Sequence, residues 1–237
     1  MPNDHSHDEN NEKGRRAEAV ASWYLRLNGF LAIENFIVHL DRYNKGTART
    51  EADFIAVRFP YSREFIQGRG LMEDDPRLIK SDGRKITKPL FVLVEVKAGR
   101  CGMNGPWTNR QEKNMQRVIR RMGFAEPEKA DEIAEALYNN AKWEGKNYIV
   151  QYICIGRYEN PEIQKYHINL LQITFADIGK FLRKRHYDFP EKTPDGFIHD
   201  QWPEFGRHFG NWFWNNKNGD AAEAVQRYID QGPEPGL

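Results

Sequence analysis

The run Phe91-Val92-Leu93-Val94-Glu95-Val96-Lys97 is apolar except for one carboxylate and one amine near its end. Side chains alternate between the two faces of a strand, so Glu95 and Lys97 are expected on the same face. Because apolar residues occupy both faces, the run predicts a central strand that is covered on both sides. A buried carboxylate and a buried ammonium are unfavourable unless they are paired, hydrogen-bonded or bound to a metal. The end of this strand is therefore the first candidate for a functional site.

The length and the charge of the chain set broad limits. The chain has 237 residues, which fits one domain with a substantial core, and its 35 Lys and Arg residues balance 34 Asp and Glu residues. The charge is unevenly distributed, and a basic zone follows the candidate strand. Such a zone favours an anionic substrate. Its basic members are Lys97, Arg100, Arg110, Lys113, Arg117, Arg120 and Arg121, against the single acid Glu112.

The cysteines and the distribution of apolar residues bear on the compartment. Cys101 and Cys154 stand on separate stretches without the spacing of a zinc site, so neither a disulfide scaffold nor a structural zinc is expected. The sequence has no apolar run of about 18 residues, and no apolar segment follows Met1 as in a signal peptide. These features predict a soluble, cytoplasmic protein that does not enter a membrane.

Hydrophobic periodicity predicts alternating helices and strands, which is typical of an α/β domain. Residues 1–12 are polar and are expected to form a disordered tail, and residues 60–89 form a charged insertion before the central strand. The main domain is expected over residues 13–185, followed by a helical, aromatic-rich C-terminal extension and loose tail over 186–237. Helices are predicted over 13–28, 106–122, 128–143 and 175–185, and strands over 36–40, 52–59, 91–97, 148–155 and 166–170.

Three further polar residues are expected near the central strand. Glu18 borders the apolar stripe of the first predicted helix, and Asp53 heads the strand that precedes the insertion. Gln111 is expected to point toward the sheet from the helix 106–122. Each residue also has an ordinary interpretation, because helical glutamates are commonly solvated and an aspartate at this position commonly caps a turn.

Four basic residues recur at helical spacing after the central strand. A basic stripe is usually a solvated face of a helix. This one follows directly on a strand with a buried carboxylate and a lysine, which makes it a candidate for binding the phosphates of a nucleic acid. The four residues are Arg110, Lys113, Arg117 and Arg120.

Together these residues supply the parts that phosphodiester hydrolysis requires. An Asp and a Glu on adjacent strands can hold one or two divalent cations through oxygen ligands, which suits Mg²⁺ or Mn²⁺. A lysine beside them can orient or deprotonate a water molecule and stabilise negative charge on a phosphorane-like transition state. The basic stripe would bind the flanking backbone of the substrate.

Three segments, in order, resemble the motifs of the PD-(D/E)xK nuclease superfamily, which has the restriction-endonuclease-like fold. The resemblance is closest to the branch of Holliday-junction-resolvase-like proteins and covers about residues 13–122. Ala52 stands where the nominal pattern has a proline, and neither the insertion nor the chain after about residue 125 has a counterpart. The segments are Gly14-Arg15-Arg16-Ala17-Glu18, Glu51-Ala52-Asp53-Phe54-Ile55-Ala56 and the central strand itself.

The resemblance implies a fold, an activity and residue roles. The fold is a mixed central sheet flanked by helices, and the activity is Mg²⁺- or Mn²⁺-dependent cleavage of nucleic acid, with DNA expected before RNA, in repair or defence. Asp53 and Glu95 are implied as metal ligands, Lys97 as the residue that acts on the water, and Glu18 as a ligand or a supporting group. Gln111 matches a glutamine that some members place at the site. Many nucleases of this fold act as dimers, so a homodimer is left open.

Two other interpretations of the same residues remain. A nuclease fold can bind nucleic acid without cutting it, although the presence together of Asp53, Glu95 and Lys97 argues against this. Alternatively, Glu95 and Lys97 form a structural ion pair in an ordinary α/β domain, since buried ion pairs occur without catalytic roles.

Overall fold

A computed structural model describes residues 4–38, 50–66, 70–81, 83–188, 204–216 and 219–232. Within these ranges the strands are β1 (Phe30–Val38), β2 (Thr50–Arg58), β3 (Phe65–Ile66), β4 (Gly70–Leu71), β5 (Lys80–Ser81), β6 (Arg84–Lys85), β7 (Leu90–Arg100), β8 (Lys142–Glu144), β9 (Ile149–Tyr158) and β10 (Leu171–Thr174). The helices are α1 (Asp4–Leu27), α2 (Pro76–Ile79), α3 (Gly105–Thr108), α4 (Asn114–Met122), α5 (Pro127–Asn140), α6 (Pro161–Tyr166), α7 (Phe175–Asp188), α8 (Glu204–Asn215) and α9 (Ala221–Gln231). None of these helices is long and apolar enough to cross a membrane.

The strand predicted to be central lies in the middle of a mixed six-stranded sheet. The strand order is β1-β2-β7-β9-β10, with β8 added beside β9. β2 is antiparallel to both of its neighbours, β1 and β7, whereas β7, β9 and β10 run parallel. The predicted α/β class and the mixed sheet are therefore confirmed.

Helices cover both faces of this sheet, as a strand that is apolar on both faces requires. Val92 and Val94 of β7 belong to a core that contains apolar side chains of α1, α7, α8 and α9. Leu93 belongs to a second core, which contains apolar side chains of α4 and α5. The period-two alternation of β7 thus divides its side chains between two hydrophobic layers.

The C-terminal helices belong to the main core. The helical, aromatic-rich C-terminal region that the sequence predicts is confirmed as α8 and α9, whose apolar side chains pack in the same core as Val92. The packing is close, because a methyl group at Gly179 of α7 would lie 2.3 Å from the backbone oxygen of Ala221 in α9. Arg16 of α1 also donates to the carbonyl oxygen of Ile229, at 2.7 Å. The expected loose tail after residue 232 lies outside the described residues.

The first helix is longer than its apolar stripe. Composition predicts a disordered tail over residues 1–12, but α1 instead begins at Asp4. Ion pairs one turn apart join Lys13 to Glu9, at 3.0 Å, and Arg16 to Glu12, at 3.2 Å. Adding turns to a helix that is already nucleated and packed requires little free energy. The composition of residues 1–12 does not indicate this effect, because it depends on the helix that follows them. The helix ends as predicted, with Gly29 at a φ of 75°.

Two predicted elements differ from the structure because the backbone leaves its regular path. The continuous helix predicted over 106–122 is divided into α3, a 3₁₀ turn at Arg110–Glu112 and α4. Asn109 is extended and Lys113 is left-handed, with a φ of 56°, and neither conformation continues an α-helix. The strand predicted over 166–170 is wrong, because α6 ends at Tyr166 and β10 begins at Leu171. Residues 39–40 of another predicted strand lie outside the described residues.

The insertion 60–89 is attached at the end of the sheet opposite Glu95. Arg58, the last residue of β2, is buried, and its guanidinium donates to the backbone oxygen of Ser62 and to Asp74 of the insertion, at 2.6 and 2.5 Å. Asp53 lies five residues earlier on β2, about 17 Å away at 3.3 Å per residue. The insertion therefore stabilises the far end of the sheet.

The close packing of α7 on α9 predicts opposite effects for two glycine substitutions. Gly179→Ala should lower the free energy of unfolding by about 1–3 kcal/mol, because the methyl group meets the α9 backbone. Gly14→Ala should raise it by up to about 1 kcal/mol, because Gly14 is helical and nothing lies within 4 Å of its added methyl. Urea unfolding followed by circular dichroism measures both. Equal stabilities of the two variants would contradict this packing.

Candidate active site

Asp53 and the Glu95–Lys97 pair meet at one end of the sheet. β2 and β7 are antiparallel, and the ladder pairs Phe54 with Val94, so Asp53 is delivered beside the end of β7 that carries Glu95. The Asp53 carboxylate accepts a hydrogen bond from the backbone N–H of Val96, at 2.6 Å. The Asp53 carboxylate therefore provides the acceptor for the N–H of Val96, just beyond the last regular pair of the β2–β7 ladder. The prediction that adjacent strands bring Asp53 and Glu95 together is confirmed.

Glu95 is fully buried, with a relative exposure of 0%. One of its carboxylate oxygens accepts from the Nζ of Lys97, and the other accepts from the hydroxyl of Tyr152, at 3.4 Å. Burial raises the pKa of Glu95 to about 7, and the negative charge of Asp53 adds to this increase. The ammonium of Lys97 and the Tyr152 hydroxyl act in the opposite direction without cancelling it.

Glu18 reaches the same end of the sheet from α1. Arg58 donates to the carbonyl oxygen of Asn28, at 2.8 Å. The last residue of β2 therefore lies next to the C-terminal end of α1, at the far end of the sheet. Ten helical residues rise about 15 Å from Asn28 to Glu18, and five strand residues rise about 17 Å from Arg58 to Asp53. The pKa of Glu18 is raised to about 7. Burial is the largest cause, and the negative charges of Asp53 and Glu51 add to the increase. Glu18 is therefore close enough to Asp53 and Lys97 for their charges to affect its pKa.

The cluster has more negative than positive charge. Burial also raises the pKa of Asp53, although the N–H of Val96 and the charge of Lys97 oppose the increase. Three carboxyl groups on three different elements therefore have raised pKa values around one lysine. Such a site favours either a proton or a cation, because either one relieves the repulsion among the carboxylates.

The side chains do not stand in the arrangement of a formed metal site. Across the residues that the structure describes, no three His, Cys, Asp or Glu side chains are grouped so that they could hold a metal ion. Two of the three carboxylates have partners within the protein instead, since Glu95 is paired with Lys97 and Asp53 is bonded to the N–H of Val96. The donor chemistry nevertheless suits a hard cation, because all the acidic groups offer carboxylate oxygens.

Gln111 and the basic stripe are placed differently from the prediction. Gln111 is exposed on the 3₁₀ turn, so the break before α4 removes its expected orientation toward the sheet. Arg110 pairs with Glu135 of α5, at 3.0 Å, and Arg120 pairs with Asp131, at 3.3 Å. Of the other two predicted residues, Lys113 is exposed and Arg117 is half-buried.

Two residues of β9 join the site without having been predicted. Tyr152 pairs with Leu93 in the parallel ladder and is fully buried, which places its hydroxyl against Glu95. A tyrosine inside a run that is apolar on both faces is the signal for it, because a buried hydroxyl requires a partner. Cys154 pairs with Glu95 itself and lies beside Cys101, whose Sγ is 3.7 Å from the Cys154 carbonyl oxygen. Both cysteines are free and buried.

The chain was compared with protein-family models, with curated proteins and with solved structures, and none of the three comparisons found a match.

The raised pKa of Glu95 predicts how stability depends on pH. The carboxyl has an ordinary pKa of 4.5 and a folded-state pKa of about 7, so the folded protein binds this proton more tightly than the unfolded chain. The free energy of unfolding should therefore fall as the pH rises through that interval. Glu95→Gln removes the titration and should be more stable than the wild type by about 2–3 kcal/mol at about pH 8, with little difference at about pH 4.

Urea unfolding at the two pH values measures this difference. Glu162→Gln, at an exposed position on α6, is the matched control and should follow the wild type at both pH values. A Glu95→Gln protein that is less stable than the wild type at about pH 8 would show that the carboxylate stabilises the fold.

Proposed function

We propose that this protein is a Mg²⁺- or Mn²⁺-dependent nuclease that hydrolyses phosphodiester bonds, with DNA as the expected substrate. One observation carries the proposal. Carboxyl groups from α1, β2 and β7 converge around Lys97, and two of them, Glu18 and Glu95, have pKa values near 7. Carboxyl groups with raised pKa values are a feature of catalytic sites, where burial and like charges are combined at a cost in folding stability.

The donor set supports a divalent cation held by Asp53 and Glu95, with Glu18 as a further ligand or a supporting group. In the structure, the positive charge of Lys97 balances part of the negative charge of Glu95. A bound cation would balance this negative charge in the same way. When bound there, Mg²⁺ or Mn²⁺ would lower the pKa of a water molecule and neutralise charge on the phosphodiester. Carboxylate oxygens are the ligands that both ions prefer.

Lys97 connects the buried carboxylates to the solvent. Its side chain is 31% exposed, whereas that of Glu95 is fully buried. An ammonium group that touches Glu95 at one side and solvent at the other can orient the attacking water. It can also stabilise the negative charge that develops on the phosphate. The buried surroundings of Glu95 have a lower dielectric than water. This strengthens both the orientation of the water and the stabilisation of the charge on the phosphate.

The surface beside α4 supports an anionic substrate of extended shape. The ion pairs of Arg110 with Glu135 and of Arg120 with Asp131 are about half exposed on both sides. Exposed pairs contribute little to stability, so the phosphates of a nucleic acid can replace the acidic partners at small free-energy cost. These arginines remain candidates for nucleic-acid binding in this role.

A structural ion pair is the second candidate role for Glu95 and Lys97. It is favoured by the observation that both oxygens of Glu95 have hydrogen-bond partners within the chain. The pKa of Glu95 favours the nuclease instead, because an ion pair that stabilises a fold lowers the pKa of its acid, whereas this pKa is raised to about 7.

Cleavage should depend on a divalent cation and on Lys97. With Mg²⁺ or Mn²⁺, the wild type should cut labelled DNA, and Lys97→Ala should reduce the rate by about 100- to 10,000-fold, the typical contribution of a group that acts on the nucleophile. Excess EDTA should stop the reaction. Supercoiled, linear, single-stranded and branched DNA, together with RNA, are incubated in parallel and analysed on gels.

Lys85→Ala is the matched control for this assay, because Lys85 is an exposed lysine on the insertion. It should retain the wild-type rate. Tight binding without cutting under every cation would identify a non-cleaving nucleic-acid-binding protein. A Lys97→Ala protein that cuts as fast as the wild type would contradict the proposed role of Lys97.

A bound cation should also stabilise the folded protein in the absence of substrate. At about 100 times its dissociation constant, Mn²⁺ should raise the free energy of unfolding of the wild type by about 2.7 kcal/mol. Asp53→Asn should lose most of this increase, whereas Asp131→Asn, at an exposed position on α5, should keep it. Thermal unfolding with increasing Mn²⁺ measures the effect. An equal gain in both variants would place the ion elsewhere.

A further inference from the structure

β7 and β9 continue past the candidate active site with a change of register. Lys97 pairs with Gly156, and the next pair is Arg100 with Tyr158. Three residues of β7 therefore span the distance that two residues of β9 span, which is a β-bulge at Ala98 and Gly99. Bulges are common next to active sites because they redirect the residues that follow. Arg100 and Tyr158 are the first paired residues beyond Lys97.

Tyr158 presents an aromatic ring at the rim of the site on a rigid element. The Cα of Tyr158 lies two strand residues, about 7 Å, beyond the Gly156 position that pairs with Lys97. Tyr158 is 55% exposed, yet its carbonyl oxygen accepts from the N–H of Cys101 at 2.8 Å, which fixes the backbone. The guanidinium of Arg157 lies 5.4 Å from the ring centroid and is itself paired with Asp230.

Arg100 supplies a cation at the same rim. It is exposed, and among the residues that the structure describes it has no acidic partner within ion-pair distance. Arg110 and Arg120, in contrast, are both paired with acids of α5. A phosphate can therefore bind Arg100 without displacing an acid of the described residues, in the bidentate geometry that a guanidinium favours.

We propose that Arg100 and Tyr158 form a subsite for an unpaired nucleotide next to the cleaved phosphate. This inference rests on the proposed nuclease function. The Tyr158 ring stacks on the exposed base, and Arg100 binds the neighbouring phosphate. A base inside a regular duplex is already stacked on both sides, so an aromatic ring can reach it only where the strand is single or the pairing is interrupted. The substrate class is therefore single-stranded nucleic acid, or a duplex with unpaired nucleotides at the cut.

Binding measured without catalysis tests this inference. Fluorescence anisotropy in EDTA compares a labelled single-stranded oligonucleotide with the same strand in a duplex. Tyr158→Ala should weaken single-strand binding by about 5- to 100-fold, the effect of losing one stacked base, and should leave duplex binding within about twofold. Tyr158→Phe keeps the ring and should bind like the wild type.

Two further variants complete the design. Arg100→Gln should weaken the binding of both forms and reduce the slope of log K against log salt by about 0.7 on the single strand, because one phosphate contact is lost. Tyr61→Ala is the matched control, because Tyr61 is an 86% exposed tyrosine on the insertion at the far end of the sheet. It should leave all affinities unchanged. Circular dichroism establishes that each variant is folded.

The outcomes separate the subsite from the nuclease function. Wild-type affinity in Tyr158→Ala, equal losses on single strand and duplex, or a wild type that binds no nucleic acid would each overturn the subsite. If Tyr158→Ala behaves like the wild type while the wild type still cuts DNA, only the subsite fails. If Tyr158→Ala loses single-strand binding but the wild type never cuts with any cation, the nuclease function fails, and what stands is a binding site for an unpaired nucleotide without a cleaved phosphate beside it.

Discussion

The burial of the Glu95 carboxylate in the middle of the sheet is the constraint on which the rest of the site depends. An ionised carboxylate without partners would be strongly unfavourable there, so β7 supplies Lys97 and β9 supplies Tyr152. These partners do not restore an ordinary pKa, because burial raises the pKa of Glu95 and Asp53 adds a second negative charge in the same place. The carboxylates of the site therefore still repel one another, and a bound cation or proton would relieve this repulsion.

The backbone around Glu95 departs from regular pairing on both sides. Toward β2, the Asp53 carboxylate accepts the N–H of Val96. Toward β9, the pairing shifts by one residue between Lys97 and Arg100. A strand that paired regularly on both sides would present only its side chains. These departures change the pairing at this end of the sheet and redirect the residues that follow.

Features that depend on neighbouring residues were predicted well. The apolar residues on both faces around Val94 identified the central strand, and the spacing of Glu95 and Lys97 placed them together. Helical spacing placed Glu18 at the border of the core. The break at Lys113 was not predicted, because a lysine does not ordinarily favour the left-handed conformation that it has here. Together with the extended Asn109, this conformation separates the turn that carries Gln111 from α3 and α4.

The sequence by itself determined the central strand and most of the long helices and strands, because these depend on local periodicity. Apart from the pairing of the strands that carry Asp53 and Glu95, only the tertiary structure decided which segments are neighbours. It brought Tyr152 onto Glu95, placed the insertion at the far end beside Arg58, and packed α9 into the main core. These contacts join residues that are far apart in the chain. Their formation depends on shape and charge in three dimensions, which no local pattern contains.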